Sequence, residues 1–129
     1  MEYIDKNIKV NLFLKQSTNY LKNARELLRK NELNKSGEIL WGAISSLIKA
    51  IGIIYNVPTR THRELINLAK QIALNKNDNE IRFGIIRDAK ELHANFYQNF
   101  LEPDDLKEKW FSCVKVYNKL FQIIMEKSL

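Results

Sequence analysis

Residues 40–54 read LWGAISSLIKAIGII, and this stretch decides the fold. Its apolar residues recur at every third or fourth position, which is the spacing of one face of an α-helix. Trp41 and Ala50 widen that face beyond the share that a surface helix usually buries, and such a helix is normally packed on several sides. The stretch therefore predicts the central helix of a bundle. The predicted buried face consists of Leu40, Ala43, Ile44, Leu47, Ile48, Ile51 and Ile54.

Helical spacing continues on both sides of this stretch, without the two-residue alternation of strands. Thr61 and Glu64 have the spacing of a capping box, and Pro58 and Pro103 lie where one helix stops and another opens. Short connections between long helices favour antiparallel neighbours. We therefore predict an all-α, antiparallel up-and-down bundle of about five helices, in a single domain over residues 1–129. The helices are expected at about residues 5–30, 34–55, 61–74, 79–100 and 102–129.

Composition limits the kinds of site that the chain can build. Of its 129 residues, 45% are hydrophobic and 28% are charged, as in folded globular domains. Four glycines include no phosphate-binding loop, and two histidines with one cysteine cannot supply the usual ligands of a zinc site. We therefore expect neither a metal nor a cofactor. Cys113 lies in an apolar helical stripe and is expected to act as a small hydrophobe.

The sequence says less about the cellular location and the binding partners of the protein than about its fold. The single cysteine and the absence of a signal peptide favour the cytoplasm, and no apolar run approaches the roughly 20 residues that span a bilayer. The net charge of +6 favours an anionic partner, since lysines and arginines that neutralise phosphates release counterions. The lysines are nevertheless interleaved with acids along every helix, which is also typical of a solvated surface.

The fourth predicted helix carries the one chemical clue. His93 lies about 70° to one side of its expected core face and Arg87 lies on the far face, so the two are about 9 Å apart along the axis of an ideal helix and about 120° apart around it. Between them lies a second, smaller apolar surface, which we call the side strip. If two copies of the helix met at the side strip, both arginines and both histidines would converge in one cleft. The core face is predicted from Ile81, Ile85, Ala89, Leu92, Phe96 and Phe100, and the side strip from Phe83, Ile86, Ala94 and Tyr97.

Such a cleft would have the groups that phosphate chemistry needs. Imidazole transfers protons near neutral pH, and a guanidinium can stabilise the charge that develops on a phosphate. The spacing alone fits equally well a solvated arginine and a histidine packed on the flank of its helix. His62, the other histidine, is expected to be a surface residue in the first turn of the third helix.

Four stretches of the sequence carry a family resemblance. Arg87, followed by the polar Asp88 and separated by five residues from His93, resembles the motif of the HEPN superfamily, in which four to six arbitrary residues separate an arginine from a histidine. Residues 38–43 (EILWGA), 61–65 (THREL) and 92–97 (LHANFY) occur in that order and resemble the archaeal PaREP family, which is grouped with HEPN-like folds. The resemblance covers about residues 36–120.

The resemblance implies a helical bundle that forms a homodimer, with both copies of the motif facing one cleft. HEPN proteins, where active, are often metal-independent ribonucleases of toxin–antitoxin or other defence systems. By that resemblance, His93 would be the general base or acid for attack by the RNA 2′-hydroxyl, Arg87 would hold the scissile phosphate, and Asp88 would orient one of these two groups. We therefore expect binding of RNA or nucleotide. Because many HEPN relatives lack activity, the alternative is a non-catalytic helical module that binds a nucleotidyltransferase or a defence protein.

Overall fold

The computed structural model describes residues 2–127 and 129, and the side chains of residues 6–127 and 129. Helices and short turns account for this part of the chain, and no strand occurs within it. The elements are α1 (Glu2–Arg29), α2 (Leu33–Ile54), α3 (His62–Asn75), α4 (Asn79–Phe83), the π segment (Gly84–Ala89), α5 (Lys90–Gln98) and α6 (Pro103–Glu126). α4, the π segment and α5 form one rod because the backbone stays right-handed helical at both junctions. The predicted all-α bundle of about five helices is therefore confirmed.

Four of the helices are followed, within two residues of their last residue, by an asparagine in the left-handed conformation. Asn31, Asn56, Asn77 and Asn99 have φ angles of 61°, 59°, 49° and 49°. Asparagine tolerates this conformation better than other residues with a Cβ atom, and the reversal lets amides beyond the helix pair with its last carbonyls. The ends of these helices are therefore determined by residues that lie next to them in the sequence.

The starts of the helices are likewise determined by neighbouring residues in the sequence. Thr61 Oγ1 accepts the N–H of Glu64 at 3.1 Å, and the Glu64 carboxylate accepts the N–H of Thr61 at 3.0 Å. The capping box predicted for the third helix is therefore confirmed. Asp78 caps α4 by accepting the N–H of Ile81 at 3.1 Å, and Pro103 is the first residue of α6.

Buried hydroxyl groups fix the directions of three helices. Ser36 donates to the Ala24 carbonyl at 2.6 Å, and Ser17 donates to the Ala43 carbonyl at 2.8 Å. Since the later residues of α2 meet the earlier residues of α1, the two helices are antiparallel. Trp110, near the start of α6, donates its indole N–H to Ser36, near the start of α2, at 2.8 Å. Ile54, at the end of α2, and Ile124, near the end of α6, line one cleft, so α2 and α6 run in parallel. This departs from the predicted strict up-and-down alternation, in which the second and fifth predicted helices would be antiparallel.

The predicted central helix is confirmed. α2 packs against α1, α3, the rod from α4 to α5, and α6, and its predicted apolar face is fully buried up to Ile51. By length and composition alone α2 could also cross a membrane, with a mean hydropathy of 1.5 over a window of 18 residues, although polar residues interrupt its apolar run. Because 61% of that window is buried among the other helices, its apolar character is explained by its place in the core.

The π segment is the main departure from the predicted fold. A π-helix closes its hydrogen bonds over five residues and has a wider turn than an α-helix. The separation of Arg87 and His93 calculated for an ideal α-helix therefore does not apply. Gly84 begins the segment, and a Cβ atom there would lie 2.2 Å from Val116 Cγ2 on α6. The rod and α6 are thus in close contact at the point where the helix changes type.

The core face predicted for the rod holds only as far as Leu92. Phe96 is 37% exposed and Phe100 is 49% exposed, so their assignment to the core was wrong. Phe100 lies beyond the last residue of α5, where helical spacing no longer applies. Asn95 is buried instead, and its Oδ1 accepts the N–H groups of Phe100 and Leu101 at 2.7 Å each. A buried amide therefore organises this end of the rod.

Candidate functional site

His93 on α5 is held by a carboxylate from another helix. Its Nδ1 lies 2.8 Å from Oε1 and 3.0 Å from Oε2 of Glu38 on α2. Because a carboxylate only accepts hydrogen bonds, Nδ1 carries a hydrogen, and in the neutral ring Nε2 is then the acceptor. No residue in the described part of the chain hydrogen-bonds to Nε2. The His93 side chain is 39% exposed, so the arrangement presents an oriented base to solvent.

His93 is also part of a row of rings that three helices contribute. The Trp41 ring lies 5.6 Å from the His93 ring and 6.1 Å from the His62 ring, measured between centroids. On the other side, Tyr97 contacts His93 edge to face at 5.6 Å. Trp41 is almost buried, whereas Tyr97 is 72% exposed and His62 is exposed in the first turn of α3. The row fixes the plane of the His93 ring.

Arg87, in the π segment, is oriented by its neighbour Asp88. Arg87 Nε donates to Asp88 Oδ1 at 2.8 Å, and Nη2 approaches Oδ2 at 3.4 Å. The guanidinium carbon lies 5.6 Å from the centroid of the Phe83 ring. This side-on pairing leaves Nη1 and the outer edge of the guanidinium for other acceptors, because arginine has five donors in one plane. The Arg87 side chain is 59% exposed.

Asp88 is the buried anchor of this arrangement. Its carboxylate also accepts hydrogen bonds from Ser112 at 2.9 Å and from Lys109 at 3.4 Å, both on α6. Burial raises the pKa of Asp88, but the hydrogen bonds from Arg87 and Ser112 and the nearby positive charges outweigh it, so the pKa lies below its usual range. The hydrogen bond from Arg87 to Asp88 likewise raises the pKa of the guanidinium. With its oxygens occupied, Asp88 can position Arg87 but cannot readily exchange protons.

A polar cleft of about 570 Å³ lies beside Arg87, between the rod and α6. Its lining contains four carboxylates and two cations, so its formal charge is negative. A polyanion would therefore be repelled on this side of Arg87. The cleft is lined by Arg87, Asp88, Glu91, Leu101, Asp105, Glu108, Lys109 and Ser112.

The side strip lies at the surface between Arg87 and His93. Phe83 is 49% exposed and Tyr97 is 72% exposed, while Ile86 and Ala94 are half-buried. Lys90 is exposed and stands four residues from both Ile86 and Ala94, so it lies between them on the helix surface. The strip is therefore mainly apolar, with one cation near its middle.

Arg87 and His93 do not meet within one chain. Arg87 is bound to Asp88 beside α6, and His93 is bound to Glu38 on α2. Sequence spacing did not reveal Glu38 as the partner of His93, because 55 residues separate them and only the packing of α5 on α2 joins them. Asp88 was expected to orient either Arg87 or His93, and of these two it accepts hydrogen bonds from Arg87.

Other reactive groups contribute no further site. Cys113 is fully buried, and its thiol lies 3.7 Å from the Gly84 carbonyl. Burial raises the pKa of this thiol well above its usual range, so the predicted role of a small hydrophobe is confirmed. Within residues 6–127 and 129, no three side chains of histidine, cysteine, aspartate or glutamate are gathered so that they could hold a metal ion.

Comparison with known proteins adds one finding. The model of the archaeal PaREP1/PaREP8 family matches residues 12–116, which is most of the chain and includes Glu38, Arg87 and His93. No curated protein and no solved structure gave a match.

Proposed function

This chain belongs to the archaeal PaREP1/PaREP8 family, and from the geometry of its site we propose that it acts as a homodimer that binds single-stranded RNA and cleaves it without a metal ion. The observation that carries this proposal is the pairing of His93 with Glu38. A base fixed by a second group and open on its other nitrogen is a typical arrangement for proton transfer.

The proposed reaction uses the free nitrogen of His93. Nε2 accepts the proton of a ribose 2′-hydroxyl, and the resulting oxygen attacks the adjacent phosphorus. The bond from phosphorus to the 5′-oxygen breaks, leaving a 2′,3′-cyclic phosphate and a 5′-hydroxyl. A protonated His93 of the partner subunit supplies the proton that the leaving oxygen takes up.

Arg87 is the proposed electrostatic group. Its outer guanidinium edge is free to bind the phosphate oxygens on which charge develops, and Asp88 holds it in place. Because Arg87 and His93 of one chain do not meet, we propose that the side strips of two chains pack together and bring the four side chains into one groove. Exposed rings at both ends of the strip, Phe83 and Tyr97, support such a contact.

The activity is tested with structureless RNA in the presence of EDTA. His93→Ala and Arg87→Ala should each reduce the cleavage rate at least about 100-fold, and Glu38→Gln should reduce it by a smaller factor. Arg25→Ala, which removes an exposed arginine from α1, is the matched control. Cleavage that survives both His93→Ala and Arg87→Ala would overturn the assignment.

The shared groove has its own test. A mixture of the His93→Ala and Arg87→Ala proteins forms heterodimers that retain one histidine and one arginine, so it should cleave faster than either variant alone. Its rate should stay well below that of the wild type, because the second histidine that protonates the leaving oxygen is missing. Tyr97→Asp should give a monomer in light scattering, whereas Phe111→Asp, at a site that is 56% exposed on α6, should leave the mass unchanged. A wild-type protein that is strictly monomeric contradicts the proposal.

A second candidate function rests on the acidic cleft beside Arg87. Four carboxylates there disfavour RNA and favour a basic segment of a partner protein. Under this alternative the chain is a non-catalytic interaction module. Absence of both RNA binding and RNA cleavage, together with retained dimerisation, would favour the module over the ribonuclease.

A further inference from the structure

If the proposed dimer forms, a ligand can approach His93 from one side only. His93 has Tyr97 on one side, at the edge of the side strip, and Trp41 with His62 on the other. A partner subunit on the side strip would cover the Tyr97 side. An RNA strand bound at His93 would then have to continue across Trp41 towards the first turn of α3.

His62 is well placed to meet that strand. Leu65 and Ile66, three and four residues further on, are buried, so His62 lies on the face of α3 that points towards α2. Its ring contacts the nearly buried Trp41 at 6.1 Å between centroids, yet His62 as a whole is exposed. An exposed aromatic ring that packs against a buried one, here at an interplanar angle of 48°, is the kind of surface on which unpaired bases stack.

Positive charge accompanies this ring. Arg60 and Arg63 flank His62 in sequence, and both are exposed. The acid nearest to them in the chain, Glu64, is engaged by the N–H groups of Arg60 and Thr61 at 3.0 Å each. Neither arginine side chain forms an ion pair among the described residues. Free arginines next to a stacking ring favour the backbone of a single strand over a neutral ligand.

We propose that His62 is the stacking platform for the nucleobase next to the phosphate cleaved at His93, and that Arg60 and Arg63 contact the phosphates that follow. This subsite rests on the proposed function and extends it by giving the strand a direction, from α5 across α2 to α3. It also gives a role to the THREL stretch that the reaction itself does not use.

Binding is measured with a short, labelled, unstructured RNA whose 2′-hydroxyls are methylated, so that it cannot be cleaved. His62→Ala should weaken binding about 5- to 150-fold, the range for loss of one base stack, and His62→Phe should restore most of it. Arg60→Ala and Arg63→Ala should each lower the slope of log Kd against log salt concentration by about 0.7. Phe111→Ala and Arg25→Ala are the aromatic and basic controls.

The outcomes separate this subsite from the ribonuclease. If His62→Ala binds RNA as tightly as Phe111→Ala does, or His62→Phe binds as weakly as His62→Ala, the platform is refuted even where wild-type protein cleaves RNA. If wild-type protein binds but does not cleave, and His62→Ala loses binding that Phe111→Ala retains, the platform stands and the reaction fails. Wild-type protein that binds no RNA refutes both.

Discussion

Gly84→Ala is expected to destabilise this protein, although the same change in an ordinary helix does the opposite. In an exposed helix, alanine is favoured over glycine by about 1 kcal/mol. At position 84 the added Cβ would lie 2.2 Å from Val116 Cγ2, far inside the roughly 3.5–4.0 Å of a normal carbon contact. Val116 is fully buried and, as a β-branched residue in a helix, has little freedom to rotate.

The magnitude follows from the two opposing effects. Overpacking costs about 1–3 kcal/mol, and an approach of 2.2 Å belongs in the upper part of that range, about 2–3 kcal/mol. A net loss of about 1–2 kcal/mol therefore remains after the gain of about 1 kcal/mol in helix propensity. Val116→Ala alone removes two buried methyl groups and should cost about 2 kcal/mol. In the double variant the new Cβ occupies the space that Val116 vacates, so the combined loss should fall short of the sum by at least about 1 kcal/mol.

The free energy of unfolding of the four proteins is measured by urea denaturation followed by circular dichroism. The slope of the transition should stay constant, which shows that each change acts on stability and not on the extent of unfolding. Equal or greater stability of Gly84→Ala, or strict additivity in the double variant, would refute the close contact of the rod with α6 at Gly84.

Three further predictions concern polar groups in the bundle. Ser36→Ala leaves the Trp110 indole N–H without its acceptor and should cost about 1–3 kcal/mol in urea denaturation, whereas the exposed hydroxyl of Thr18 should be removable at a cost below about 0.5 kcal/mol. Asn95→Ala removes the acceptor of two loop amides and should speed hydrogen exchange at Phe100 and Leu101, with unchanged exchange in α1. The folded-state pKa of Asp88 is lowered, so its pairing stabilises the fold above about pH 4, the usual range of an unfolded aspartate, and that contribution is lost as the pH falls towards the folded-state pKa. The stability difference between wild type and Asp88→Asn should therefore be large at neutral pH and shrink on acidification, and the exposed Asp104→Asn should produce no such change.

The candidate site was predicted only in outline. Spacing on a helix was enough to put Arg87 and His93 on either side of an apolar strip, because neighbours along a helix surface are fixed by its period. The side chains that position these two residues include partners from other helices. Glu38 binds His93, and Ser112 binds Asp88, which in turn holds Arg87. The spacing of residues along one helix does not show which residues of a second helix will face them.

The sequence by itself determined the helices, their ends and the central position of α2. These features depend on apolar spacing, on capping residues such as Thr61 and on asparagines at the helix ends, all of which act within one or two turns. Only the tertiary structure decided the π segment, the burial of Asn95 in place of Phe96, and the contact of His62 with Trp41. Each of these depends on how closely two helices approach, which the shapes of side chains far apart in the chain set jointly.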